Sequence, residues 1–299
     1  MPTLQQVADR LSQSARIGPS NERQGVRFVR WTDFEADILA LWRKLPWPIS
    51  GIAGCPRSGM YAAAKLAILA GVPLWAADEH GPPRQLGHGQ RLGAAKAKHG
   101  GPLVVVEDST HTGASLARAM RHAQPGTLSA VVYASPHAKT RPDIVGQWLP
   151  GPHFFEWHYF GSALASITCF DMDGVFCDDC PAGDDDDGPR YAAWLAAVQP
   201  RSLPRTYPVG AIVTARLERY RPQTEAWLQR HGVSYEHLVM GPWATKAARV
   251  NVGRWKADHY ERFASHIMFI ESNPRQAAEI HAGAKNRRVA CNQTGQVWG

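Results

Sequence analysis

Short apolar runs alternate with longer amphipathic stretches along this chain of 299 residues. Such alternation is typical of α/β proteins, in which helices join parallel strands. The candidate strands are Ile49–Ala53, Leu103–Glu107, Ala130–Ala134, Ile167–Phe170, Ala211–Val213 and Ile267–Ile270. The candidate helices are Gly59–Ala70, Ser115–His122, Tyr191–Ala197, Gln223–His231 and Arg275–Ala282. The pattern therefore predicts an α/β fold.

One stretch, "HAKTRPDIVGQWLPGPHFFEWHYFGSA", fits neither the strand period nor the helix period. It is rich in Pro, Gly and aromatic residues, and the chain is long for one typical domain. We place a domain boundary at its end, near Ser162. The prediction is two Rossmann-like parallel-sheet domains, 1–162 and 163–299.

Composition narrows the class of protein. A hydrophobic content of 44% can supply two packed cores and argues against general disorder. The net charge of +7 favours anionic partners such as nucleotides, phosphates or nucleic acid. No apolar run approaches the roughly 18 residues of a membrane span, and the N-terminus lacks the apolar core of a signal peptide. Five irregularly spaced cysteines do not suggest a disulfide framework. We expect a soluble cytoplasmic protein without membrane contact. The sequence is compatible with a homodimer but does not determine the oligomeric state.

The stretch "LVVVEDSTHTGAS" places two acids, Glu107 and Asp108, at the end of a buried strand. Ligands of open α/β sheets bind beyond the carboxyl ends of the strands. Backbone N–H groups and hydroxyls in the following turn can hold a phosphate, and Gly113 lets the backbone approach it. The acids can hold ribose hydroxyls or Mg²⁺. Together these features describe a site for a ribose 5-phosphate.

"VVVEDSTHTGAS" resembles the phosphoribosyl pyrophosphate (PRPP) binding signature of type I phosphoribosyltransferases. The resemblance implies that Glu107 and Asp108 contact the ribose hydroxyls and that the turn surrounds the 5-phosphate. The implied PRPP-binding residues of the turn are Ser109, Thr110, His111, Thr112, Gly113, Ala114 and Ser115.

Two further stretches resemble parts of the same family. "ISGIAGCPRSGMYAAAKLA" resembles its pyrophosphate loop, with Arg57, Ser58 and Gly59 at the tip; Arg57 could neutralise pyrophosphate as it leaves. "DEHGPPRQLGHGQRLGAAKAKHG" resembles the mobile loop that covers PRPP. Its candidate phosphate contacts are Arg84, Arg91, Lys96 and Lys98.

The acceptor of the transfer is expected to be a nucleobase-like molecule. The stretch "PGPHFFEWHYF" could supply an aromatic platform, with Phe155 or Trp157 stacking on the base. Packing in the core is the alternative for these rings.

The second half carries a different motif. In "SITCFDMDGVFCDD", Asp171 and Asp173 follow an apolar strand with one residue between them. The first carboxylate can attack phosphorus, and the second can protonate the leaving group and then activate water. Mg²⁺ would screen the approach of a carboxylate to an anionic phosphate. The stretch resembles motif I of the haloacid dehalogenase (HAD) superfamily phosphatases. By order along the chain, Thr214 matches motif II and Lys256 matches motif III.

Motif IV departs from that family pattern. The family usually has one or two Asp where this chain offers Glu271, Ser272 and Asn273. We expect Asp171, Asp173 and Glu271 to hold Mg²⁺, with lower metal affinity than usual. The short gaps between the motifs leave no room for a large inserted domain, so the resemblance implies a minimal cap and an open site.

We predict a bifunctional enzyme of nucleotide metabolism. The first domain would transfer ribose 5-phosphate from PRPP to a base-like acceptor, and the second would hydrolyse a phosphate monoester, most simply on the product. One alternative is a nucleotide-sensing or RNA-binding regulator with a weakly active or inactive HAD domain. Another makes the acceptor a base within nucleic acid. The sequence does not identify the acceptor.

Two conspicuous patterns are not expected to carry chemistry. Cys177 and Cys180 form a lone CxxC without neighbouring His ligands, which argues against zinc. The acidic run 184–187 is expected to be a solvated loop before a helix.

Overall fold

The computed structural model describes residues 26–87 and 100–299. These residues form two compact units. The first unit is Trp31–Gly151, and the second joins residues 26–30 to Pro152–Gly299. The sequence-based boundary near Ser162 lies within the second unit in this division. A parallel pairing of β1 (Arg27–Val29) with β8 (His153–Phe155) connects the N-terminal segment to the second half.

The first unit contains a six-stranded sheet in the order β4-β3-β2-β5-β6-β7. Adjacent strands are parallel except for β3 and β4, which are antiparallel. The strands are β2 (Gly51–Gly54), β3 (Leu74–Ala76), β4 (Arg84–Gly87), β5 (Leu103–Thr110), β6 (Leu128–Ala134) and β7 (Ile144–Trp148). The helices are α1 (Trp31–Trp42), α2 (Ser58–Ala70) and α3 (Ala114–Met120).

Apolar side chains of the central strands form the core of the first unit. Val105 of β5 and Val131 of β6 lie on adjacent strands and pack in one cluster with Leu116 of α3. A polar network ties α1 to the sheet, because Asp37 accepts hydrogen bonds from the Tyr133 hydroxyl at 2.7 Å and the Gln147 amide at 3.1 Å. The carboxyl ends of β2 and β5 lie side by side because these two strands pair directly in parallel.

The second unit contains another six-stranded sheet, in the order β11-β10-β9-β12-β13-β14. Adjacent strands are parallel except for β13 and β14. The strands are β9 (Thr168–Phe170), β10 (Val209–Leu217), β11 (Tyr235–Gly241), β12 (Met268–Glu271), β13 (Val289–Cys291) and β14 (Val297–Trp298). The helices are α4 (Glu156–Tyr159), α5 (Pro189–Ala197), α6 (Arg221–Arg230), α7 (Val252–Arg262) and α8 (Pro274–Gly283). Short 3₁₀ helices cover Ala163–Ile167, Glu218–Tyr220 and Lys246–Ala248.

Both faces of this second sheet are covered. Successive strand residues point to opposite faces, so Phe170 packs in one cluster with Trp227 of α6, while Cys169 packs in another with Tyr260 of α7. Burial on both faces explains why its central strands read as nearly continuous apolar runs.

The α/β architecture with mostly parallel sheets is confirmed. Each of the six predicted strands and five predicted helices corresponds to an observed element with bounds shifted by a few residues. The pattern missed α1 and α7, and it missed several strands, including β7 and β11. In the part of the chain that the structure describes, no helix combines the length and apolarity that crossing a membrane requires.

Candidate functional site

The carboxyl ends of β2 and β5 form one corner of the first unit. The two strands are parallel, with Gly54 opposite Val106, and the Cys55 N–H donates to the Val106 carbonyl at 2.9 Å. Helix α2 approaches β5 closely, since a Cβ added at Gly59 would lie 2.8 Å from the Val106 carbonyl oxygen. The predicted pyrophosphate loop is therefore adjacent to the predicted ribose-binding acids.

The two acids of this corner are buried. Glu107 is 5% exposed and Asp108 is 2% exposed. The Ser115 hydroxyl donates to Glu107 Oε2 at 3.0 Å, which joins α3 to the acids. Burial, followed by the charge of Asp108, raises the pKa of Glu107 to about 8 against an ordinary value of 4.5. Burial therefore favours the protonated form of Glu107, which can donate a hydrogen bond to a ligand oxygen.

The turn after β5 is shaped by Gly113, whose φ is +81°. A Cβ at this position would lie 2.7 Å from both Cβ and O of Thr140. Both the conformation and the lack of space therefore require glycine. The Lys139 N–H donates to the Thr112 carbonyl at 3.1 Å, so the loop after β6 supports the turn. Thr110 Oγ1 is buried and has no hydrogen-bond partner among the described residues.

The predicted PRPP-binding residues differ in exposure. Glu107, Asp108, Thr110, Gly113 and Gly59 are buried. Ser109 and Ser58 are half-buried. The exposed members are Arg57, His111, Thr112, Ala114 and Ser115. A buried acidic floor with an exposed basic and hydroxyl rim fits a ligand that carries both hydroxyls and phosphates.

The predicted covering loop lies mostly outside the described residues, and Arg91, Lys96 and Lys98 lie there with it. Arg84 lies on β4 and is exposed. Phe155 and Trp157 belong to the second unit, where their rings stack with centroids 4.7 Å apart. Phe155 is only 8% exposed, so packing accounts for that ring. Stacking on a base stays a prediction.

The second unit brings three carboxylates and one lysine to the carboxyl edge of its sheet. Asp171 follows β9, and Glu271 ends the neighbouring β12. Lys256 of α7 contacts both carboxylates, with Nζ 2.8 Å from Asp171 Oδ2 and 2.6 Å from Glu271 Oε2. The Lys256 side chain is 1% exposed, so these contacts are shielded from solvent.

The ionisable groups of this cluster shift one another's pKa values. Burial and then the charge of Glu271 raise the pKa of Asp171, and Lys256 opposes the shift. Burial by itself would lower the pKa of Lys256, but the attraction of Asp171 and Glu271 outweighs burial and raises it. Lys256 is therefore a permanent cation at this edge.

Glu271 is held on both oxygens. Its Oε1 accepts from the Ser272 N–H at 2.9 Å and the Asn273 N–H at 3.0 Å, while Oε2 meets Lys256. The residue is 0% exposed. Asn273 caps α8 by accepting from the backbone N–H groups of Arg275 and Gln276 at 3.0 and 3.1 Å, so its side chain also has partners. The side chains of Glu271 and Asn273 thus both have hydrogen-bond partners within the second unit.

Asp173 meets a second buried cation, Arg216, which the sequence analysis left without a role. Arg216 Nε donates to the two carboxylate oxygens of Asp173 at 3.0 and 3.2 Å, and its guanidinium also contacts Cys177 Sγ at 3.2 Å. Arg216 is 1% exposed. A signal was present in the sequence, because an arginine within the apolar strand β10 must be paired when buried.

The expected Mg²⁺ ligand set of Asp171, Asp173 and Glu271 is not formed. Within residues 26–87 and 100–299, no group of three or more His, Cys, Asp or Glu side chains is arranged to hold a metal ion. Lysine lies between two of the carboxylates, and arginine pairs with the third. The side chains present at this edge therefore do not fit a bound divalent cation.

Thr214 lies on β10 near the same edge and is fully buried. Its Oγ1 accepts from the Arg216 N–H at 3.2 Å. The predicted phosphoryl contact of Thr214 stays a prediction.

The acidic run has structural roles. Asp186 starts α5 by accepting from the N–H groups of Gly188 and Tyr191 at 2.9 and 3.0 Å. Asp185 pairs with Lys246, and Asp187 pairs with Arg219. All five cysteines, including Cys177 and Cys180, are free. The acidic run was expected to be a solvated loop. Its side chains instead cap α5 and pair with Lys246 and Arg219, so they hold the loop in place.

Comparison with known proteins gives similarity at the level of structure. A scan against protein-family models and a search of curated proteins each found no match. A purine phosphoribosyltransferase from Pyrococcus horikoshii Ot3 is similar at 20% identity and a TM-score of 0.31, over 44% of this chain and 92% of that one. The Helicobacter pylori xanthine-guanine-hypoxanthine phosphoribosyltransferase is similar at 15% identity and a TM-score of 0.32, over 44% of this chain and 94% of that one.

A hypothetical protein from Neisseria gonorrhoeae with bound ppGpp is similar at 12% identity and a TM-score of 0.32, over 45% of this chain and 91% of that one. At these identities and TM-scores, the similarities do not decide what this chain binds or catalyses.

Proposed function

We propose that the first unit binds PRPP at the corner of β2 and β5 and transfers its 5-phosphoribosyl group to a base-like acceptor. The observation that carries the proposal is the buried pair Glu107 and Asp108, followed directly by a turn that only glycine can complete at position 113. The acids would hold the ribose hydroxyls, and Thr110 to Ser115 would surround the 5-phosphate.

The orphaned hydroxyl of Thr110 supports this arrangement. A buried hydroxyl without a partner costs free energy unless a ligand satisfies it. A phosphate oxygen in the turn would accept its hydrogen bond. The protonated form of Glu107 likewise suits a sugar hydroxyl, which can accept as well as donate.

The transfer itself breaks the bond from the ribose anomeric carbon to pyrophosphate and forms a bond from that carbon to an acceptor nitrogen. Pyrophosphate leaves with the bonding electron pair, and the proton of the acceptor nitrogen passes to the departing pyrophosphate or to water. Arg57, with Ser58 and Gly59, would stabilise the charge that develops on pyrophosphate. Mg²⁺ is proposed as the companion of PRPP; Glu107 and Asp108 are the carboxylates of this corner that could hold it, and it would supply positive charge for the departing pyrophosphate.

For the second unit we propose hydrolysis of a phosphate monoester. The observation favouring it is the 2.8 Å contact of Lys256 with Asp171, which places a cation beside a carboxylate that could attack phosphorus. The nucleotide-like product of the first unit is the simplest substrate, and removing its phosphate would draw a reversible transfer forward.

One experiment tests both activities. The full chain is incubated with PRPP, Mg²⁺ and a panel of bases, and pyrophosphate and inorganic phosphate are measured separately. Asp108→Asn should abolish pyrophosphate release, whereas Glu79→Gln, a change at a half-exposed surface acid, should not. Asp171→Asn should abolish phosphate release and leave pyrophosphate release intact.

No pyrophosphate release with any acceptor would overturn the transferase proposal. If salt-sensitive RNA binding were found instead and persisted in both Asp→Asn variants, the chain would be a nucleic-acid-binding regulator. Ribosylated polymer in place of ribosylated free base would identify the acceptor as nucleic acid.

A further inference from the structure

The carboxylate edge of the second unit contains its own cations. Three acids, Asp171, Asp173 and Glu271, lie there with two basic side chains, Lys256 and Arg216. Both basic side chains are almost completely buried, at 1% and 0% exposure. Buried ions that are paired in this way are costly to separate, because each would be left uncompensated away from water.

The contacts of Arg216 are directed at the oxygens that a metal would use. Its Nε lies 3.0 and 3.2 Å from the two oxygens of Asp173, and a terminal nitrogen lies 2.5 Å from Oδ1. Other partners fix the guanidinium in place: Cys177 Sγ at 3.2 Å, Thr224 Oγ1 at 3.4 Å and the ring of Trp194 at 5.5 Å. The arginine is therefore a rigid part of the site.

A divalent cation at this edge would meet two obstacles. It needs several oxygen ligands converging on one point, but Glu271 already uses both oxygens for Lys256 and two backbone N–H groups. It would also sit against the positive charge of Arg216, whose side chain is 0% exposed, and like charges close together repel. Displacing Arg216 would leave that cation buried without its partner.

We propose that Arg216 is an internal counter-ion of Asp173, a positioning residue that takes the place of a divalent cation at the carboxylate edge of the second unit. The free protein consequently does not take up Mg²⁺ at Asp173. Any phosphate-monoester hydrolysis at this edge, which rests on the function proposed above, proceeds in the presence of EDTA.

Mg²⁺ binding to the metal-stripped full chain, measured by isothermal titration calorimetry without PRPP, tests the proposal. The wild-type chain should show no saturable binding that depends on Asp173 up to concentrations on the order of 10 mM. Arg216→Met should create a site roughly tenfold tighter or better, because the carboxylate loses its competing cation. Adding Asp173→Asn to that variant should remove the new site.

A matched control tests whether removing the arginine partner of any aspartate creates a Mg²⁺ site. Arg254 is an exposed arginine paired with Asp258 at 3.0 Å, and Arg254→Met should leave Mg²⁺ binding unchanged. Arg216→Lys keeps the charge but cannot contact both oxygens, so its affinity for Mg²⁺ should fall between those of wild type and Arg216→Met. It also serves as the test variant should the Met variant fail to fold.

Two results would overturn the proposal: saturable Mg²⁺ binding to the wild type that Asp173→Asn abolishes, or folded Arg216 variants that bind Mg²⁺ no better than wild type. The titration measures Mg²⁺ and not turnover. Absence of hydrolysis would therefore count against the proposed second activity without deciding the role of Arg216.

Discussion

Glu107 of the first unit lies within the carboxyl-terminal part of β5, and Asp171 of the second unit directly follows β9. Both strands are buried and parallel to their neighbours, yet the two acids meet different partners. Glu107 takes a neutral partner, the Ser115 hydroxyl, and its pKa rises to about 8 through burial and the charge of Asp108. Asp171 instead contacts Lys256, a buried cation that also pairs with Glu271. A neutral hydroxyl thus contacts Glu107, whereas a buried cation contacts Asp171.

This difference teaches that two acids after an apolar strand do not define one kind of site. An acid without a cation suits hydroxyl groups and holds its proton by desolvation. An acid paired to a buried cation stays part of a charge network, and breaking the network is costly.

Removing the shared cation of the second unit should have the largest effect. Lys256→Met would leave Asp171 and Glu271 buried together, so the free energy of unfolding should fall by about 3–5 kcal/mol. Urea unfolding measures it. Lys285→Met, at an exposed lysine paired with Glu261, should stay within about 0.5 kcal/mol of wild type. Equal losses of stability at the two lysines would show that Lys256 is not needed to neutralise the buried carboxylates.

The first unit should instead lose stability as pH rises. The Glu107 pKa of about 8 exceeds the ordinary 4.5 expected in the unfolded chain, so the folded state keeps a proton that the unfolded state releases. This contribution is complete below pH 4.5 and is lost as pH rises to about 8, by an amount on the order of a few kcal/mol.

Glu107→Gln cannot titrate, so the stability difference between wild type and this variant should change across that pH window. Urea unfolding at a series of pH values measures the slope. Glu79→Gln, at a half-exposed acid, should follow the wild-type slope. A Glu107→Gln profile parallel to wild type would mean that Glu107 is ionised in the folded state.

The turn after β5 should show a smaller effect on stability and a specific effect on ligand binding. Gly113→Ala introduces strain at φ +81° and a clash with Thr140, which together should cost about 1–3 kcal/mol and abolish PRPP-dependent pyrophosphate release. Gly126→Ala is the matched control, since φ is +84° there but no atom lies within 4 Å. It should cost less and leave pyrophosphate release intact; similar losses of release at both glycines would argue against a ligand in the turn.

The smallest effect is expected at the exposed counterpart of the buried pairs. Lys246 pairs with Asp185, and its side chain is 41% exposed. Lys246→Met should therefore lower stability by about 0.2–1 kcal/mol, and added salt should reduce the difference. A loss as large as that of Lys256→Met would remove the distinction between buried and solvated ion pairs.

Local pattern predicted much of this fold. The apolar run Leu103–Glu107 became β5, and Gly59–Ala70 became α2, because alternation and helical spacing report directly on burial. The pairing of β1 with β8 could not be predicted this way, since the two segments lie far apart in sequence. Helix α7 was also missed, although it carries Lys256.

The sequence by itself placed acids near the carboxyl ends of apolar strands, so Glu107, Asp108, Asp171 and Asp173 were found from pattern alone, although β5 continues to Thr110. Only the tertiary structure decided what faces those acids: Ser115 for Glu107, Lys256 for Asp171, and for Asp173 an arginine 43 residues away. The reason is physical. Strand ends follow from local periodicity, whereas the partner of a buried charge depends on which distant elements the fold brings within a few ångströms of it.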